Sequence, residues 1–181
     1  MRKFVKTSIK TLMVFSLLLA LGCSKSDKVK LKVGQAYQGG IIAYVDATGK
    51  HGLIAALNDQ STTGIQWGDY GTYIGATGLI IGTGKSNTTN IVQFLGAGNY
   101  AAKLCDDLVL NGYSDWFLPS KDELNELYKN KELIGDFANA HYWSSSETNA
   151  NYAWGQHFST GYLYNFNSKH YTYRVRAVRT F

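Results

Sequence analysis

Residues 149–173 combine aromatic rings with amide and hydroxyl side chains, a mixture suited to the recognition of sugars. Tyrosine and tryptophan offer rigid, flat contact surfaces, while asparagine and glutamine offer adaptable hydrogen bonds. We predict stacking for the rings of this region and anion or hydroxyl recognition for its polar groups. The candidate ligand-binding residues are Trp154, His157, Tyr162, Tyr164, Lys169, His170, Arg174 and Arg176. The alternative is that many of these rings form the inner face of a sheet.

The last part of the chain carries three arginines whose role has two interpretations. They are Arg174, Arg176 and Arg179. In an extended strand, Arg174 and Arg176 share one face. One or two of the three arginines could pair with buried carboxylates such as Asp115 or Glu147 and so fix the terminal strand against the segment around Asp115, which is the interpretation that we favour. They could instead form a small anion-binding patch, because guanidinium groups match the geometry of sulfate and carboxylate.

The sequence contains no motif that we would assign to catalysis. Cys105 lies where apolar residues recur at helical spacing, so we expect a buried thiol. Its acidic neighbours at 106–107 would raise its pKa and make it less reactive. The four histidines form no His-Glu-x-x-His motif for zinc. Ser144–Ser146 lacks the flanking glycines of a nucleophile elbow.

An enzyme that acts on envelope polysaccharide is a lower-ranked alternative. A glycosidase needs two carboxylates about 5–10 Å apart across a cleft. The acidic pairs at 106–107 and 122–123 are typical of solvated helix faces and a helix cap. A cleft that placed Asp69, Asp115 or Glu147 opposite another carboxylate would favour the enzyme.

The first residues predict export and a lipid anchor. Four basic residues precede an apolar run from Leu12 to Leu21, which is the pattern of a signal peptide. The run is too short for a membrane-spanning helix, which needs about 20 residues. Cys23 follows Ala-Leu-Gly and resembles the lipid-bearing cysteine of bacterial lipoproteins, so we predict membrane attachment through lipid; an ordinary secretory signal is the alternative. The expected divisions are a signal peptide at 1–22, a lipidated tether at 23–33 and one domain at 34–181.

The charge balance argues against nucleic acid as a partner. The whole chain has 18 Lys and Arg against 13 Asp and Glu, but four of the basic residues lie in the predicted signal peptide. The predicted mature chain therefore has 14 against 13, too small an excess for a surface that neutralises several phosphates. Once Cys23 carries lipid, Cys105 has no cysteine partner, so we expect no internal disulfide.

A hairpin and an irregular region are expected before the helices. Two short apolar runs at 41–46 and 51–57 flank a glycine-containing turn and predict a β-hairpin. Residues 58–84 are rich in Gly, Thr and Tyr, which predicts an irregular region in which Trp67 is buried.

Two to three helices and a strand meander are expected next. We predict one helix from near Ile91 after a cap at 87–90, a second over 100–110 and a third over 120–131. Residues 141–179 place aromatic and β-branched residues between Asn, Gly and Ser turns, which predicts an antiparallel meander. This order of elements indicates an α+β fold.

The segment Gly112–Leu124 joins a tight turn, a buried aromatic residue and the only proline of the chain to a helix start. Ser120 and Glu123 have the spacing of a capping box, in which each side chain accepts a backbone N–H at the helix start. We therefore expect a structural hub and not a reactive centre. The hub residues are Asp115, Trp116, Pro119, Ser120 and Glu123.

Three motifs taken together resemble one known family. They are Gly112-Tyr-Ser-Asp-Trp-Phe-Leu-Pro-Ser120, Tyr142-Trp-Ser-Ser-Ser-Glu147 and Val175-Arg-Ala-Val-Arg179. Their order and spacing resemble the Lcl C-terminal domain family, long classed as a domain of unknown function and named from a bacterial collagen-like adhesin. The resemblance covers most of residues 34–181. Phe117 stands where the family often has arginine, so a polar role of that side chain is absent.

The resemblance implies a compact domain similar to C-type-lectin-like and sulfatase-modifying-factor-like folds. In the adhesin, the domain is associated with the binding of sulfated glycans. Calcium-dependent lectin sites need a proline between two polar ligands, whereas Pro119 lies between Leu118 and Ser120. We predict no cofactor and no metal; a calcium site built from Asp and backbone oxygens has no support in the sequence.

The sequence as a whole predicts a non-catalytic lipoprotein of the bacterial cell envelope, anchored at the outer membrane or the cell surface. Its expected partner is a glycan or another extracellular polymer, bound in a role such as adhesion. The alternative is a structural or interaction subunit of an envelope assembly that uses the same aromatic surface against protein.

Overall fold

The computed structural model describes residues 30–181, so the predicted signal peptide, the lipidated Cys23 and most of the predicted tether lie outside the described residues. The described part is an α+β fold of two sheets and four helices, which confirms the predicted class. The strands are β1 Ala36–Tyr37, β2 Gly40–Val45, β3 Gly52–Ala55, β4 Ser61–Ile65, β5 His141–Glu147, β6 Tyr152–His157, β7 Leu163–Ser168, β8 Tyr173–Val175 and β9 Val178–Thr180. The helices are α1 Gly84–Leu95, α2 Ala101–Asp106, α3 Lys121–Lys129 and α4 Lys131–Ile134.

The N-terminal sheet has the strand order β1-β2-β3-β9, and all its neighbouring strands are antiparallel. The predicted hairpin is confirmed as β2 and β3. Asp46 stabilises its turn by accepting hydrogen bonds from the side chain and the backbone N–H of Thr48. All four residues of β3 are buried, because Ile54 packs in one apolar cluster and Leu53 and Ala55 pack in another on the opposite face of the sheet.

The C-terminal sheet has the strand order β4-β8-β5-β6-β7. β5, β6 and β7 are antiparallel neighbours, which confirms the predicted meander for these three strands. The prediction is wrong for the last two strands, since β8 runs parallel to β5 and β9 joins the other sheet. After β7 the chain returns to the far side of β5, where Arg174 and Arg176 reach a buried carboxylate. The alternation of residue types along each strand does not indicate the strand order, so it could not predict that β8 lies on this side of β5.

Two apolar clusters hold the sheets and helices together. The larger cluster packs α1 and α2 against strands of both sheets around Trp67, Trp116 and Trp143. The smaller cluster packs α3 and α4 against the N-terminal sheet around Phe117 and Phe158. Because full burial of one large apolar side chain contributes about 1.5–3 kcal/mol, these clusters are the main source of stability.

The expected burial of Trp67 and Cys105 is confirmed, since both side chains are fully buried. Burial raises the pKa of the Cys105 thiol, and the neighbouring Asp106 carboxylate raises it further. This thiol therefore acts as a small apolar group in the core. No helix within residues 30–181 is long and apolar enough to cross a membrane.

The hub segment connects elements that are distant in sequence. Phe117 exchanges backbone hydrogen bonds with Val178 of β9, and the Pro119 carbonyl accepts the Ser145 N–H at 2.8 Å. The capping box at the start of α3 is present: the Ser120 hydroxyl accepts the Glu123 N–H, and Glu123 Oε2 accepts the Ser120 N–H at 2.7 Å. The hub therefore fixes α3 against both sheets.

Helix α1 begins at Gly84 and not near Ile91, and the predicted cap residues 87–90 lie inside it. The N-cap residue Thr83 makes no side-chain cap, and the buried Glu123 Oε1 accepts the N–H of the preceding Gly82 at 2.8 Å, so a carboxylate from the hub holds the backbone that leads into the helix. A Cβ at Gly84 would lie 2.1 Å from Glu123 Oε2, so this close approach requires glycine.

Three further boundaries differ from the predictions. α2 ends at Asp106, before the predicted end at residue 110. α4 is a single turn that follows α3 after Asn130, so the described residues hold four helices where two to three were predicted. The irregular region contains β4, which is ordered by antiparallel pairing with β8 more than 100 residues later in the chain.

Candidate functional site

A partly exposed cluster of rings lies on one face of the C-terminal sheet, and we call it the aromatic face. Its members are His141, His157, Tyr162, Tyr164, Tyr171 and Tyr173. The His141 ring stacks on Tyr173, with centroids 4.6 Å apart, and meets His157 edge-on at 4.4 Å. Tyr164 lies 5.8 Å from His141 and continues to Tyr162. Tyr171 extends the cluster beyond Tyr173 at 6.0 Å.

The tyrosines at the ends of the aromatic face are open to solvent. Tyr162, Tyr164 and Tyr171 are 66%, 43% and 54% exposed. Single exposed apolar residues are common on protein surfaces, but a connected group of large rings marks an interaction site more often. This cluster is therefore the strongest candidate for a binding surface in the described residues.

Strand pairing brings these rings together. His141 of β5 and His157 of β6 are direct cross-strand partners. Tyr164 of β7 pairs with Gly155, which lies on the same face of β6 as His157 because side chains alternate along a strand. Gly155 adds no side chain to this face, and the space that a Cβ would enter is bounded by the Asn167 amide at 3.2 Å and the Tyr173 ring at 3.5 Å.

A buried amide holds the strands beneath the aromatic face in place. Asn167 donates hydrogen bonds to the carbonyl oxygens of Ala153 at 3.3 Å and Tyr164 at 2.7 Å. Its Oδ1 accepts the Tyr173 hydroxyl at 3.1 Å. Burial raises the pKa of Tyr173 to about 12, so this hydroxyl stays protonated and remains a donor. The amide thus fixes β6, β7 and the Tyr173 ring relative to each other.

A cleft of about 360 Å³ opens beside the aromatic face, and we call it the threonine cleft. Its polar lining comes from Thr62, Thr63, Thr172 and Arg174, and its rings come from His141 and Tyr173. Gly64 has a φ of +85°, and a Cβ there would lie 2.8 Å from the Thr172 carbonyl oxygen. Glycine is therefore required where β4 approaches β8. The volume lies in the lower part of the range of about 300–1,000 Å³ for small-molecule sites.

His141 is a neutral group at the centre of this surface. Its Nδ1 is buried and has no hydrogen-bond partner within residues 30–181. Burial lowers the pKa of His141, and the nearby His157 lowers it further. Protonation would add a buried N–H donor without an acceptor, which is energetically costly. The ring is therefore uncharged at neutral pH.

Two of the three arginines meet at one buried carboxylate. Asp59 Oδ1 accepts from Arg176 Nε at 2.9 Å, and Oδ2 accepts from Arg174 Nη1 at 2.9 Å. The Tyr142 hydroxyl donates to the same Oδ2 at 2.8 Å. The Arg176 guanidinium also lies over the Phe137 ring, 4.1 Å from its centroid. Asp59 therefore binds three side chains, two of them cations, and the Arg174 side chain remains 28% exposed.

A second buried ion pair joins β5 to the irregular region before α1. Lys169 Nζ lies 2.5 Å from Glu147 Oε1, donates to the Thr72 carbonyl at 2.7 Å and sits 4.6 Å from the centre of the Trp67 ring. Glu147 Oε2 also accepts the Gly75 N–H at 2.7 Å. Burial lowers the pKa of Lys169, and the Glu147 carboxylate opposes that shift. The pair fastens a long irregular segment to the sheet.

The third arginine clamps β9 to the hub. Arg179 Nε and Nη2 lie 2.7 and 3.0 Å from the two carboxylate oxygens of Asp115, which is a bidentate pair. The guanidinium also stacks 3.9 Å from the centre of the Tyr113 ring. The hydrogen bond from Arg179 holds the pKa of Asp115 below its usual value.

The family profile of the Lcl C-terminal domain matches residues 56–179. This range is more than half of the chain and includes the hub, the C-terminal sheet and all three arginines. The chain belongs to the Lcl C-terminal domain family. The resemblance drawn from the three sequence motifs is therefore confirmed. A comparison with curated proteins gave no match.

The fold of this Lcl C-terminal domain protein is similar to the crystal structure of a fimbrial protein from Bacteroides ovatus ATCC 8483. The TM-score is 0.59, the sequence identity is 17%, and the match covers 82% of this chain and 48% of that chain. The chain thus spans about half the length of the fimbrial protein. At this identity the likeness shows a shared fold and nothing more specific, and similarity to C-type lectins stays a prediction.

The Lcl C-terminal domain brings four of the eight candidate residues to one surface. His157, Tyr162 and Tyr164 belong to the aromatic face, and Arg174 lines the threonine cleft. Trp154 lies on the opposite face of β6, where Lys121 Nζ is 5.3 Å from its ring centre. His170 lies outside the cluster.

The structure corrects the prediction for two of the remaining candidates. Lys169 and Arg176 are fully buried, and their charges are paired with Glu147 and Asp59, so neither is available to an external ligand. The exposed His170 stacks on Tyr70, with ring centroids 4.3 Å apart, away from the aromatic face. Residue type alone could not reveal this, because the two carboxylates lie far away in sequence.

Sequence reasoning did not select several residues that complete the site. They are His141, Tyr171, Tyr173, Thr62, Thr63 and Thr172. The alternation of Tyr171 and Tyr173 at a spacing of two residues was the available signal for those two rings. The threonines of β4 had no local signal, because only the pairing of β4 with β8 brings them beside His141.

Two of the three carboxylates named for the enzyme alternative have partners within the fold, whereas Asp69 is exposed. Glu147 and Asp115, two carboxylates that could have favoured an enzyme, are paired with Lys169 and Arg179. Within residues 30–181 no three side chains of His, Cys, Asp or Glu are grouped so as to hold a metal ion.

Proposed function

We propose that this chain is a non-catalytic binding protein of the bacterial cell envelope, and that its Lcl C-terminal domain holds a glycan or another extracellular polymer on the aromatic face. The observation that carries the proposal is the exposure of Tyr162, Tyr164 and Tyr171 beside the threonine cleft. Flat rings suit the C–H faces of sugars, and nearby hydroxyl and amide groups suit their hydroxyls.

The family and the fold support a role at the cell surface or in adhesion. Both the Lcl C-terminal domain family and the fold shared with a fimbrial protein fit a surface protein. We further propose that lipid on Cys23 anchors the chain at the outer membrane or cell surface, because a basic segment and an apolar run precede this cysteine. A Cys23→Ser variant should no longer be recovered in the membrane fraction. Recovery of this variant in the membrane fraction would contradict the proposed lipid anchor.

The engagement of carboxylates in ion pairs supports a non-catalytic role. Glu147 and Asp115 each accept hydrogen bonds from a cation in the fold, so neither is placed as a free acid or base of the kind that glycoside hydrolysis uses. The rings and hydroxyl groups of the site can hold a polymer without changing it.

A glycan array probed with the folded protein tests this function. We expect binding by the wild-type chain and roughly tenfold weaker binding after Tyr162→Ala combined with Tyr164→Ala, because aromatic anchors dominate binding energy. The matched control is Tyr73→Ala, since Tyr73 is exposed but lies outside the aromatic face. The control should bind like the wild type.

The array result decides the proposal in a simple way. A blank array with a folded wild-type protein would sink it. Equal losses in the double variant and in Tyr73→Ala would also contradict it, because the rings of the aromatic face would then have no special role.

The edge strand β7 favours a second candidate function, which is a structural or interaction subunit of an envelope assembly. β7 is the last strand of the C-terminal sheet in the described residues, and Leu163–Ser168 carries no charged side chain. Phe166 on this strand is 71% exposed. Edge strands of this kind accept a strand from another chain unless charges or proline block them.

Cross-linking in intact cells tests the second candidate. We expect one stoichiometric protein partner for the wild type and its loss after Phe166→Lys, because a charge on an edge strand disfavours pairing. Failure to recover such a partner, or its recovery with the variant, would count against assembly through β7.

A further inference from the structure

We infer that a small polar pocket beside α1 and α2, which we call the Asp69 pocket, binds a sugar that carries a free, positively charged amine. The pocket lies between residues 66–69 and the connection from α1 to α2, and it shares no lining residue with the threonine cleft. Its volume of about 200 Å³ is below the range of about 300–1,000 Å³ for small-molecule sites, so it suits one unit of a longer chain. The inference rests on the proposed glycan-binding function and adds a second site to it.

The walls of the Asp69 pocket are held by the fold. The Ala101 N–H donates to the Gln66 carbonyl at 3.0 Å, which joins the two segments that line the pocket. The buried ring of Tyr100 also lines it. A Cβ at Gly68 would lie 2.9 Å from Leu95 Cδ1, so a larger residue at this position would press on the opposite wall. The pocket is therefore formed before any ligand arrives.

Two groups that line the pocket give it a negative potential. Asp69 is exposed, and none of the ion pairs found within residues 30–181 includes its carboxylate. Leu95 is the last residue of α1, and the last turn of this helix contains no basic side chain. The C-terminal end of a helix carries a partial negative charge, which favours a cation beside it. A free carboxylate and a helix C-terminus therefore meet at one pocket.

The charged side chains around Tyr100 add to this potential. Burial raises the pKa of Tyr100, Lys103 lowers it, and three carboxylates raise it further. The carboxylates are those of Asp106, Asp107 and Asp69. Lys103 is their only cation in this group, and it already pairs with two of them. Lys169 also lies near Asp69, but it is fully buried and paired with Glu147. The balance of these charges is negative, so the pocket favours a cationic group over an anionic one.

Rings and amides beside Asp69 suit the rest of a sugar. Tyr70, the next residue, is 45% exposed and stacks on the exposed His170, with ring centroids 4.3 Å apart. The Gln66 side-chain amide donates to the His170 carbonyl at 3.3 Å, which ties this pair of rings to the pocket. Asn99 is exposed at the pocket and offers a further amide to hydroxyl groups. An ammonium group at Asp69 would thus leave the C–H face of its sugar beside rings that also attract cations.

Glucosamine oligosaccharides and their N-acetylated counterparts test the inference. Binding is measured with the folded wild-type protein and with the Tyr162→Ala, Tyr164→Ala double variant, which lacks two rings of the aromatic face. In the double variant we expect the amine form to bind at least about tenfold more tightly than the N-acetylated form, because only the amine carries a charge for Asp69. Its affinity should fall in high NaCl, since salt screens charged contacts.

Substitution of the carboxylate gives the matched comparison. Asp69→Asn should weaken binding of the amine form by about tenfold, because it removes the charge and keeps the shape of the side chain. The control is Glu132→Gln, which changes an exposed carboxylate on α4 and should bind like the wild type.

The outcomes separate the inference from the proposed function. Loss of amine-form binding in the double tyrosine variant, with no loss in Asp69→Asn, would place this sugar at the aromatic face and overturn the inference alone. Equal competition by a lysine tripeptide would show that the pocket recognises charge without a sugar, which would also overturn it. If other glycans bind and the amine form does not, only the inference falls. If the folded protein binds no glycan at all, both fall.

Discussion

The side chains discussed above form two groups in this domain. Some charged side chains form ion pairs inside the fold, and several aromatic rings are exposed at its surface. Asp59 and Glu147 are almost completely buried, and each accepts hydrogen bonds from cationic side chains of the fold. Removing one member of such a pair is costly because it leaves an uncompensated charge. The buried pairs of Lys169 and Arg176 therefore stay intact, whereas Arg174 keeps a partly exposed side chain at the threonine cleft and Tyr162 and Tyr164 stay exposed on the aromatic face.

His141 makes a prediction about pH. Its pKa in the folded protein is lowered by burial, below the usual value of about 6.5 that it has in the unfolded chain. At acid pH this histidine therefore binds more protons in the unfolded state than in the folded state, which favours unfolding. The contribution of the neutral His141 ring to the free energy of unfolding is complete above about pH 6.5 and is lost as the pH falls towards the pKa of the folded state. We expect Tm to fall between pH 7.5 and pH 5.0 by a smaller amount in His141→Phe, as measured by thermal unfolding monitored by circular dichroism.

The control for this prediction is His51→Gln, since His51 is exposed in the hairpin turn. This variant should keep the wild-type dependence of Tm on pH. If His141→Phe kept it as well, His141 would not be the group that titrates.

At the scale of elements, the long irregular segment before α1 depends on groups outside itself. Within residues 66–78 the backbone forms no regular element, yet Trp67 and Ala76 are fully buried. Glu147 accepts the N–H of Gly75, and Lys169 donates to the carbonyl of Thr72. The buried ion pair is therefore the attachment point of this segment.

Replacing Glu147 with Gln should detach part of that segment. The variant leaves the Lys169 ammonium buried without a counter-charge, and we expect the free energy of unfolding to fall by about 3–5 kcal/mol. Urea denaturation followed by tryptophan fluorescence measures the loss, because Trp67 contacts Lys169.

Two further variants make this result specific. Glu132→Gln changes an exposed carboxylate and should alter stability by less than about 0.5 kcal/mol. Glu147→Gln combined with Lys169→Met should recover part of the loss, because it removes the unpaired charge. A loss below about 1 kcal/mol for Glu147→Gln alone would contradict the assigned role.

At the scale of the whole molecule, the C-terminal residues connect the two sheets. β8 inserts between β4 and β5, and only two residues later β9 covers the edge of β3. Arg179 then fixes this end of the chain to Asp115 of the hub. Neither sheet is complete without this last segment, so the sheets should form one cooperative unit.

We therefore predict a single unfolding transition for the domain. Far-UV circular dichroism and tryptophan fluorescence should give coincident urea curves, as expected for two-state behaviour. The tryptophans report on both sides of the structure, because Trp116 lies in the hub and Trp154 lies in β6. Two separated transitions would show that the sheets unfold independently.

Local signals identified several parts of this structure from the sequence. Ser120 and Glu123 correctly predicted the start of α3, because both residues of a capping box lie within one helical turn. The turn between β2 and β3 was equally local. The predicted start of α1 was wrong, since the carboxylate that holds the backbone before this helix belongs to Glu123, 41 residues away at the hub.

The candidate site was harder to predict for the same reason. Tyr162 and Tyr164 were selected because aromatic residues stood out in a polar segment, and both are exposed on the aromatic face. Lys169 and Arg176 are of residue types that are usually accessible, but both are buried in ion pairs with carboxylates from other parts of the chain. They are therefore no longer candidates for ligand binding. His141 was overlooked because its neighbours on that surface come from other strands.

The sequence by itself determined the α+β class, the family and the hub helix, because these depend on motifs and on spacings of a few residues. Only the tertiary structure decided which cations are free, which rings are exposed and where the last two strands lie. Arg176 and Asp59 illustrate the reason, since they are 117 residues apart in the chain and yet share one buried hydrogen bond. Such a contact depends on strand order, which residue-level patterns do not encode.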